Sequence, residues 1–264
     1  MKDKNGSTYH IRRVDYTNFA SISHSLACAY ATDFWAGTWQ ELLAVRDHTG
    51  KVTKQFGTYD ETGYIYSDTR ALATGYGVDL TQPDWPLTLW QMACDHQLGD
   101  VEHYWSLDEA MVELAHYIRP TNQGGYGGRI LILMDASEEI VGFAAHTVVP
   151  APRMIRLAER RFPYPGLSRL LSKTWPDIDQ IGVYLDFAIS ERLRGRGLGS
   201  QLFDARLQTM LDDGADAIMG RTIKTSPAQF FGNYIRRGMR VLYTDPHNPD
   251  KCILGTHKKE VKPR

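Results

Sequence analysis

The sequence is poor in cysteine, has no long apolar run and carries no excess of charge of either sign. Its three cysteines, Cys28, Cys94 and Cys252, lie far apart, are odd in number and form no Cys-x-x-Cys pair. A disulfide framework of the kind that staples small secreted domains is therefore excluded, and reduced thiols in a cytoplasmic protein are expected. The first residues, MKDKNGSTYHIRR, are charged and lack the apolar stretch of a secretory signal. No segment approaches the roughly 18 apolar residues that cross a bilayer, so no membrane partner is expected. With 30 Lys+Arg against 31 Asp+Glu, the net charge of −1 argues against bulk capture of nucleic acid. A mean hydropathy of −0.38 with scattered apolar residues describes a folded chain rather than a disordered one. At about 150 residues per domain, the length allows one large domain or two small ones.

Aromatic residues give the first sign of organisation. Residues 33–106 hold 12 Phe, Trp or Tyr in 74 positions, and the other 190 hold 17. Five of the six tryptophans, Trp35, Trp39, Trp85, Trp90 and Trp105, fall there, among turn signals and short, broken patterns. A second irregular stretch, about 150–180, contains Pro150, Pro152, Pro163, Pro165 and Pro176.

Elsewhere the periodicity is cleaner. Tyr9–Val14 alternates as a strand does, and Asn18–Tyr30 reads as a helix. Leu107, Met111, Leu114 and Ile118 place a second helix over 107–118. Arg129–Met134 and Ile140–Val149 are apolar, strand-length runs, and Ile181–Ile189 is another that leads into a glycine-rich loop. Leu198–Leu211 is an amphipathic helix that Asp212, Asp213 and Gly214 close. Ala217–Ile223 is a strand, and the next helix has Ser226 at its N-cap, Pro227 at N1 and Gly238 past its end. Strands at Arg240–Tyr243 and Cys252–Thr256 finish a mixed α/β order.

The chemistry lies in the strand, loop and helix unit from Phe187 to Ser200. Gly195, Gly197 and Gly199 let main-chain N–H groups converge without obstruction by Cβ atoms. The helix that follows aims its positive end at the same place, so an oligophosphate or pyrophosphate suits the loop, with Arg194 and Arg196 adding charge. A plain glycine turn between strand and helix is the alternative. No Lys follows the glycines, which excludes a Walker loop. The Rossmann spacing fails because Gly195 and Gly197 are followed by Ser200, and Ala217–Ile223 ends in no acid.

Arg194-Gly195-Arg196-Gly197-Leu198-Gly199, after an apolar strand, resembles the acyl-CoA loop of the GNAT superfamily of N-acyltransferases, Arg/Gln-x-x-Gly-x-Gly/Ala. Downstream, Phe231–Met239 resembles that family's last core helix, with Met239 where Phe is common. The similarity covers about 180–257, and Thr8–Tyr30 and Leu107–Val149 fit the preceding elements by order. It implies an α/β fold with a mixed, mostly antiparallel central sheet flanked by helices. It also implies a single domain over 1–264, with 31–106 and 150–180 as insertions.

The implied chemistry is acetyl transfer from acetyl-CoA to an amine, with no metal. The pantetheine arm would pair beside Phe187, Ala188 and Ile189, where a main-chain N–H polarises the thioester carbonyl. The pyrophosphate would lie on Arg194, Gly195, Arg196, Gly197, Leu198, Gly199 and Ser200. Tyr234 matches the position of the acid that protonates the departing thiolate; a core aromatic is the plainer reading. The family's base on the loop-bearing strand falls at Val183 or Leu185, neither of which titrates. Asp186 is adjacent but on the opposite face by alternation, unless a bulge turns it. His146 on the neighbouring strand, a base from the insertion and a water relay stay open, as does a structural role for Asp186. The helix-start Asn common in the family is absent, Pro227 standing near its place.

The aromatic stretch has two readings. It can grip an acceptor, with Asp84, Asp95, Asp100 and Glu102 holding a cationic amine, or it can form an added subdomain core or a homodimer contact. His24 and Cys28 share a helical face but lack a third metal ligand. The basic, helix-like 154–161 segment reads as a solvated face. The favoured acceptor is a small-molecule amine. A peptide or protein amine, a non-catalytic acyl-CoA-binding module and a nicotinamide-binding protein are the rivals.

Overall fold

The computed structural model describes residues 1–31, 41–57, 67–82, 85–104, 107–155, 166–224, 230–245 and 249–262. Its centre is a seven-stranded sheet, with ten strands in all among the described residues. They are β1 (His10–Val14), β2 (Glu41–Arg46), β3 (Val52–Gly57), β4 (Glu102–His103), β5 (Arg129–Met134), β6 (Ile140–Pro150), β7 (Gln180–Ile189), β8 (Ala217–Ile223), β9 (Arg240–Thr244) and β10 (Lys251–His257). The large sheet runs β1-β5-β6-β7-β8-β10-β9, and a second, three-stranded sheet runs β3-β2-β4. Every neighbouring pair in the large sheet is antiparallel except β7 and β8, which are parallel. This is the mixed, mostly antiparallel sheet that the resemblance implied.

The described helices are α1 (Ser23–Ala29), α2 (Ser67–Gly75), α3 (Trp85–Cys94), α4 (Leu107–Ile118), α5 (Leu167–Thr174), α6 (Leu198–Asp212) and α7 (Phe230–Arg236). None of them is long and apolar enough to cross a membrane. β5 and β6 are buried on both sides because helices cover both faces, which is why they read as continuous apolar runs. On one face α1 and α4 pack Leu26, Tyr30, Ala110, Leu114 and Tyr117 against Ile130, Ile132 and Phe143. The same core takes in Leu43 and Phe56 of the second sheet and Trp85 and Leu89 of α3. On the other face α6 and α7 pack Leu202, Phe203, Leu207 and Tyr234 against Leu131, Leu133, Tyr184 and Phe187.

Several segments differ from expectation. The helix expected over 18–30 is a 3-10 turn, Phe19–Ser21, followed by α1. Asn18 explains the break: its side chain accepts from Asp15 N–H and donates to Arg13 C=O, competing with helical bonding. The broken patterns of 33–106 contain β2, β3, α2, α3 and β4, none of which was read from the sequence. Within 150–180, residues 151–155 and α5 are helical. Trp35, Trp39, Asp84, Trp105, Ser226 and Pro227, and 156–161 of the basic segment, lie outside the described residues. α7 ends as expected: Gly238 has a φ of 87°, and Met239 N–H donates to Tyr234 C=O at 3.1 Å.

Candidate active site

The site is built where β7 and β8 part. Their parallel pairing covers only Ile181–Val183 against Ala217–Met219. Beyond it β7 continues to Ile189, paired on its β6 side alone, with Ala144 opposite Phe187, Phe143 opposite Ala188 and Gly142 opposite Ile189. The β8-facing edge of that stretch thus offers main-chain groups to a strand-like ligand. Gly220 lies next to the fork: a Cβ there would be 2.7 Å from Cδ2 of Tyr184, so only glycine leaves room for that ring.

β7 runs through a short 3-10 turn, Glu191–Leu193, into the glycine loop. Gly195 and Gly197 have φ of 76° and 85°, a region that costs any other L-residue about 1–2 kcal/mol. Gly197 is the N-cap of α6 and contributes no side chain to its open first turn. Leu198 is buried beneath the loop, whereas Gly199 and Ser200 are partly exposed at the helix start. Arg194 is exposed. Arg196 is held from the other side: its guanidinium lies 3.5 Å from the Asp3 carboxylate, and its C=O accepts from Lys4 N–H at 3.2 Å. The N-terminal segment thus braces the loop, a contact that no sequence pattern signalled.

Asp186 sits at an irregularity. Ala145 pairs with Asp186, but His146 pairs with Tyr184, so Leu185 is an extra residue in β7. A bulge of this kind shifts the alternation of side chains. Tyr184 and Phe187 lie in the α6 core, while the partly buried Asp186 carboxylate points to α1 and α4. Its Oδ2 accepts from the Tyr117 hydroxyl at 3.0 Å and the Tyr30 hydroxyl at 3.2 Å, and its Oδ1 accepts from Phe187 N–H at 2.8 Å. Burial pushes the carboxyl up to about 6, against the lowering by these donors and by Arg206. Burial beside that carboxylate pushes the Tyr117 phenol far above its ordinary value, so it stays a donor.

Tyr234 lies on the opposite side of the fork. Its ring is 5.3 Å from that of Tyr184 and 5.1 Å, edge-on, from that of Phe203. Burial raises its phenol, and the guanidinium of Arg206 opposes the rise. A two-pronged ion pair from Arg237 to Asp204, at 2.6 and 2.7 Å, ties the end of α7 to α6. His146 is fully buried and 3.9 Å from Asp213 at the C-terminal end of α6, and burial lowers its pKa. It therefore does not join the cluster around Asp186. His24 and Cys28 meet at 3.7 Å, and among the described residues no group of three or more His, Cys, Asp or Glu gathers as metal ligands do.

The sequence reading missed Tyr30, Tyr117 and Arg206. Tyr117 carried a faint signal, a hydroxyl in the apolar row of α4; Arg206 carried a clearer one, a charge three residues after Phe203 and one before Leu207 in the buried row of α6.

The central sheet forks beside a glycine loop and a helix start, which defines an α/β protein able to take a strand-like ligand along β7 and an anion at the start of α6. The sequence model of the Acetyltransferase (GNAT) family matches residues 90–229, more than half of the chain. The chain belongs to that family and is an acetyl-CoA-dependent acetyltransferase. The matched span includes Asp186 and the loop and ends before Tyr234. No curated protein matches the chain. Among solved structures, the PaiA N-acetyltransferase from Thermoplasma acidophilum in complex with coenzyme A is 11% identical, with 95% of this chain and 99% of that one covered and a TM-score of 0.44. A Drosophila melanogaster polyamine N-acetyltransferase is also 11% identical, with 95% and 100% covered and a TM-score of 0.44. The ribosomal-protein-S5-alanine acetyltransferase from Vibrio fischeri is 11% identical, with 97% and 96% covered and a TM-score of 0.43.

Proposed function

We propose that this enzyme moves the acetyl group of acetyl-CoA to a primary amine of a small molecule by direct attack in a ternary complex. The observation that carries the reading is the carboxyl of Asp186, raised to about 6 by burial, at the bulge where β7 leaves β8, with the phenol of Tyr234 in the core on the other face of the same strand. The cofactor's pyrophosphate lies on 194–200, and its pantetheine runs along the open edge of Phe187–Ile189. The neutral amine attacks the thioester carbon, and a main-chain N–H of that edge stabilises the oxyanion. Asp186 takes the proton released by the amine, the C–S bond breaks, and Tyr234 gives the thiolate its proton. The amide and free CoA leave without any covalent bond to the protein. A carboxylate with a pKa of about 6 suits a base at neutral pH, since it is ionised yet still basic.

The described part of 31–106 packs β2, β3 and α3 into the core on the face toward which Asp186 points, which supports an acceptor-binding role for that stretch within one domain over 1–264. The thiols of Cys28, Cys94 and Cys252 form no disulfide among the described residues, and the reading assigns the enzyme to the cytoplasm. The test is a panel of amines assayed for CoA release. Turnover on small amines supports the reading, and firm acetyl-CoA binding with no turnover on any amine overturns it. Turnover confined to peptide amines moves the acceptor class.

A further inference from the structure

Arg206 is a charged side chain where α6 should present an apolar one. It is fully buried, between Phe203 and Leu207 in the row that packs on the sheet. Its Nη1 donates to two main-chain carbonyls, its Nε and Nη2 make no hydrogen bond of ordinary length, and the Tyr234 phenol lies close enough to interact with the guanidinium. The guanidinium carbon lies 4.1 Å from the ring centre of Tyr184, 4.8 Å from that of Phe187 and 5.5 Å from that of Phe203. Burying a guanidinium costs several kcal/mol, and ring faces and carbonyls repay only part of that. A leucine would pack there without such a cost, so the charge calls for a reason other than stability.

The two carbonyls supply one. Nη1 donates to Asp186 C=O at 2.8 Å and to Ala145 C=O at 3.3 Å. These two residues pair at the point where the β6–β7 register slips, which is where a ladder leaves its polar groups short of partners. Arg206 thus reaches the bulge from beneath, while the Asp186 carboxylate leaves the opposite face of the sheet toward Tyr30 and Tyr117. The same cation stands among the rings that surround Tyr234.

We propose that Arg206 is a positioning residue for acetyl transfer, pinning the bulge that aims Asp186 and holding a fixed positive charge between Asp186 and Tyr234. The proposal rests on the roles given to those two residues above. The titratable groups around Asp186 are Tyr30 from α1, Tyr117 from α4 with Glu113 behind it, and Arg206 from α6. Those around Tyr234 among the described residues are Arg206, Asp186, Cys252 and the neighbouring phenol of Tyr184. Arg206 is the cation in both sets, and it lowers both groups against the rise from burial. Without it the base is harder to ionise and the phenolate left after proton transfer loses its counter-charge.

The experiment uses Arg206→Gln, which keeps a donor but no charge, and Arg206→Lys, which keeps the charge but not the fork. Asp186 is titrated by NMR of Cγ-labelled aspartate, with its signal assigned by loss in Asp186→Asn. In Arg206→Gln the Asp186 titration moves up by about one pH unit. In the same variant kcat at pH 7 falls about tenfold or more, and KM for acetyl-CoA stays within about threefold. Arg206→Lys returns the titration to near the wild-type position and recovers part of kcat. An unmoved titration in Arg206→Gln overturns the proposal, as does an equal loss of kcat in both variants. Should the Gln variant not fold, Arg206→Met leaves no orphan donor and is read the same way. Wild-type protein that binds acetyl-CoA but acetylates no amine overturns the proposed reaction instead, and the titration still decides whether Arg206 tunes Asp186.

Discussion

At the scale of single residues, Asp186 and Tyr234 differ in what surrounds them, and that difference underlies the division of roles proposed for them. Asp186 is a carboxyl that burial raises to about 6 while three donors hold its charged form in place. Tyr234 is a phenol that burial keeps protonated. Tyr234→Phe removes one hydroxyl from a packed ring cluster, so kcat should fall on the order of 10²-fold while the acetyl-CoA Kd stays put. An unchanged rate in a CoA-release assay would remove Tyr234 as the acid. If Asp186 is the base, activity should rise with pH through about 6, and Asp186→Asn should abolish that limb along with most turnover. Stability should move the other way. Because the folded-state pKa lies above the ordinary 3.8, ionising Asp186 costs stability as pH rises from about 4 to 6. Asp186→Asn should therefore raise Tm at pH 8, by the equivalent of ~1–3 kcal/mol, and leave it nearly unchanged at pH 4. Thermal scans at the two pH values check this, and an equal shift at both would refute the linkage.

At the scale of elements, the loop and the fork depend on glycine for separate reasons. Gly197 needs its left-handed φ of 85° to turn the chain into α6. Gly197→Ala should cost about 1–2 kcal/mol of stability and weaken acetyl-CoA binding by tilting the first turn of the helix. Calorimetric titration with acetyl-CoA measures the second effect, and wild-type affinity would show that the loop does not hold the cofactor. The elements themselves were largely legible. The expected bounds of α4, β5 and β8 are those of the structure, because each is a segment whose hydrophobic period is set by burial on one or two fixed faces. Periodicity over 18–30 overstates the length of α1, because it cannot see Asn18 drawing the chain into a turn. The second sheet was not read at all. β2 and β3 slip register against each other at Glu41/Leu43 and Val45/Arg46, and β4 is only two residues long, so no regular alternation shows.

At the scale of the whole molecule, one core unites the second sheet with the large one. Leu43 and Phe56 share a cluster with Leu114, Ile130 and Phe143, so residues 41–57 should not unfold on their own. Leu43 is fully buried, and Leu43→Ala should destabilise the protein by about 2–4 kcal/mol within a single cooperative transition. Two resolved transitions in a calorimetric scan would show a separate domain and refute the single-domain reading. The N-terminal segment adds a second long-range tie, since Asp3 and Lys4 meet Arg196 at the loop.

The sequence by itself indicated the class of this protein through the resemblance of two motifs, the loop at 194–199 and Phe231–Met239, each a local device written in consecutive residues. The acid candidate, Tyr234, comes with the same resemblance, through Phe231–Met239. Only the tertiary structure decided what Asp186 faces. A strand's alternation puts it opposite Val183 and Leu185, and the extra residue in β7 reverses that. Its partners Tyr30 and Tyr117 come from helices 156 and 69 residues away in the chain. Arg206, a charge hidden in an apolar row, makes sense only against the carbonyls of two other strand positions. Local geometry is encoded locally; the tuning of a buried charge depends on every group that folding brings within a few ångströms of it.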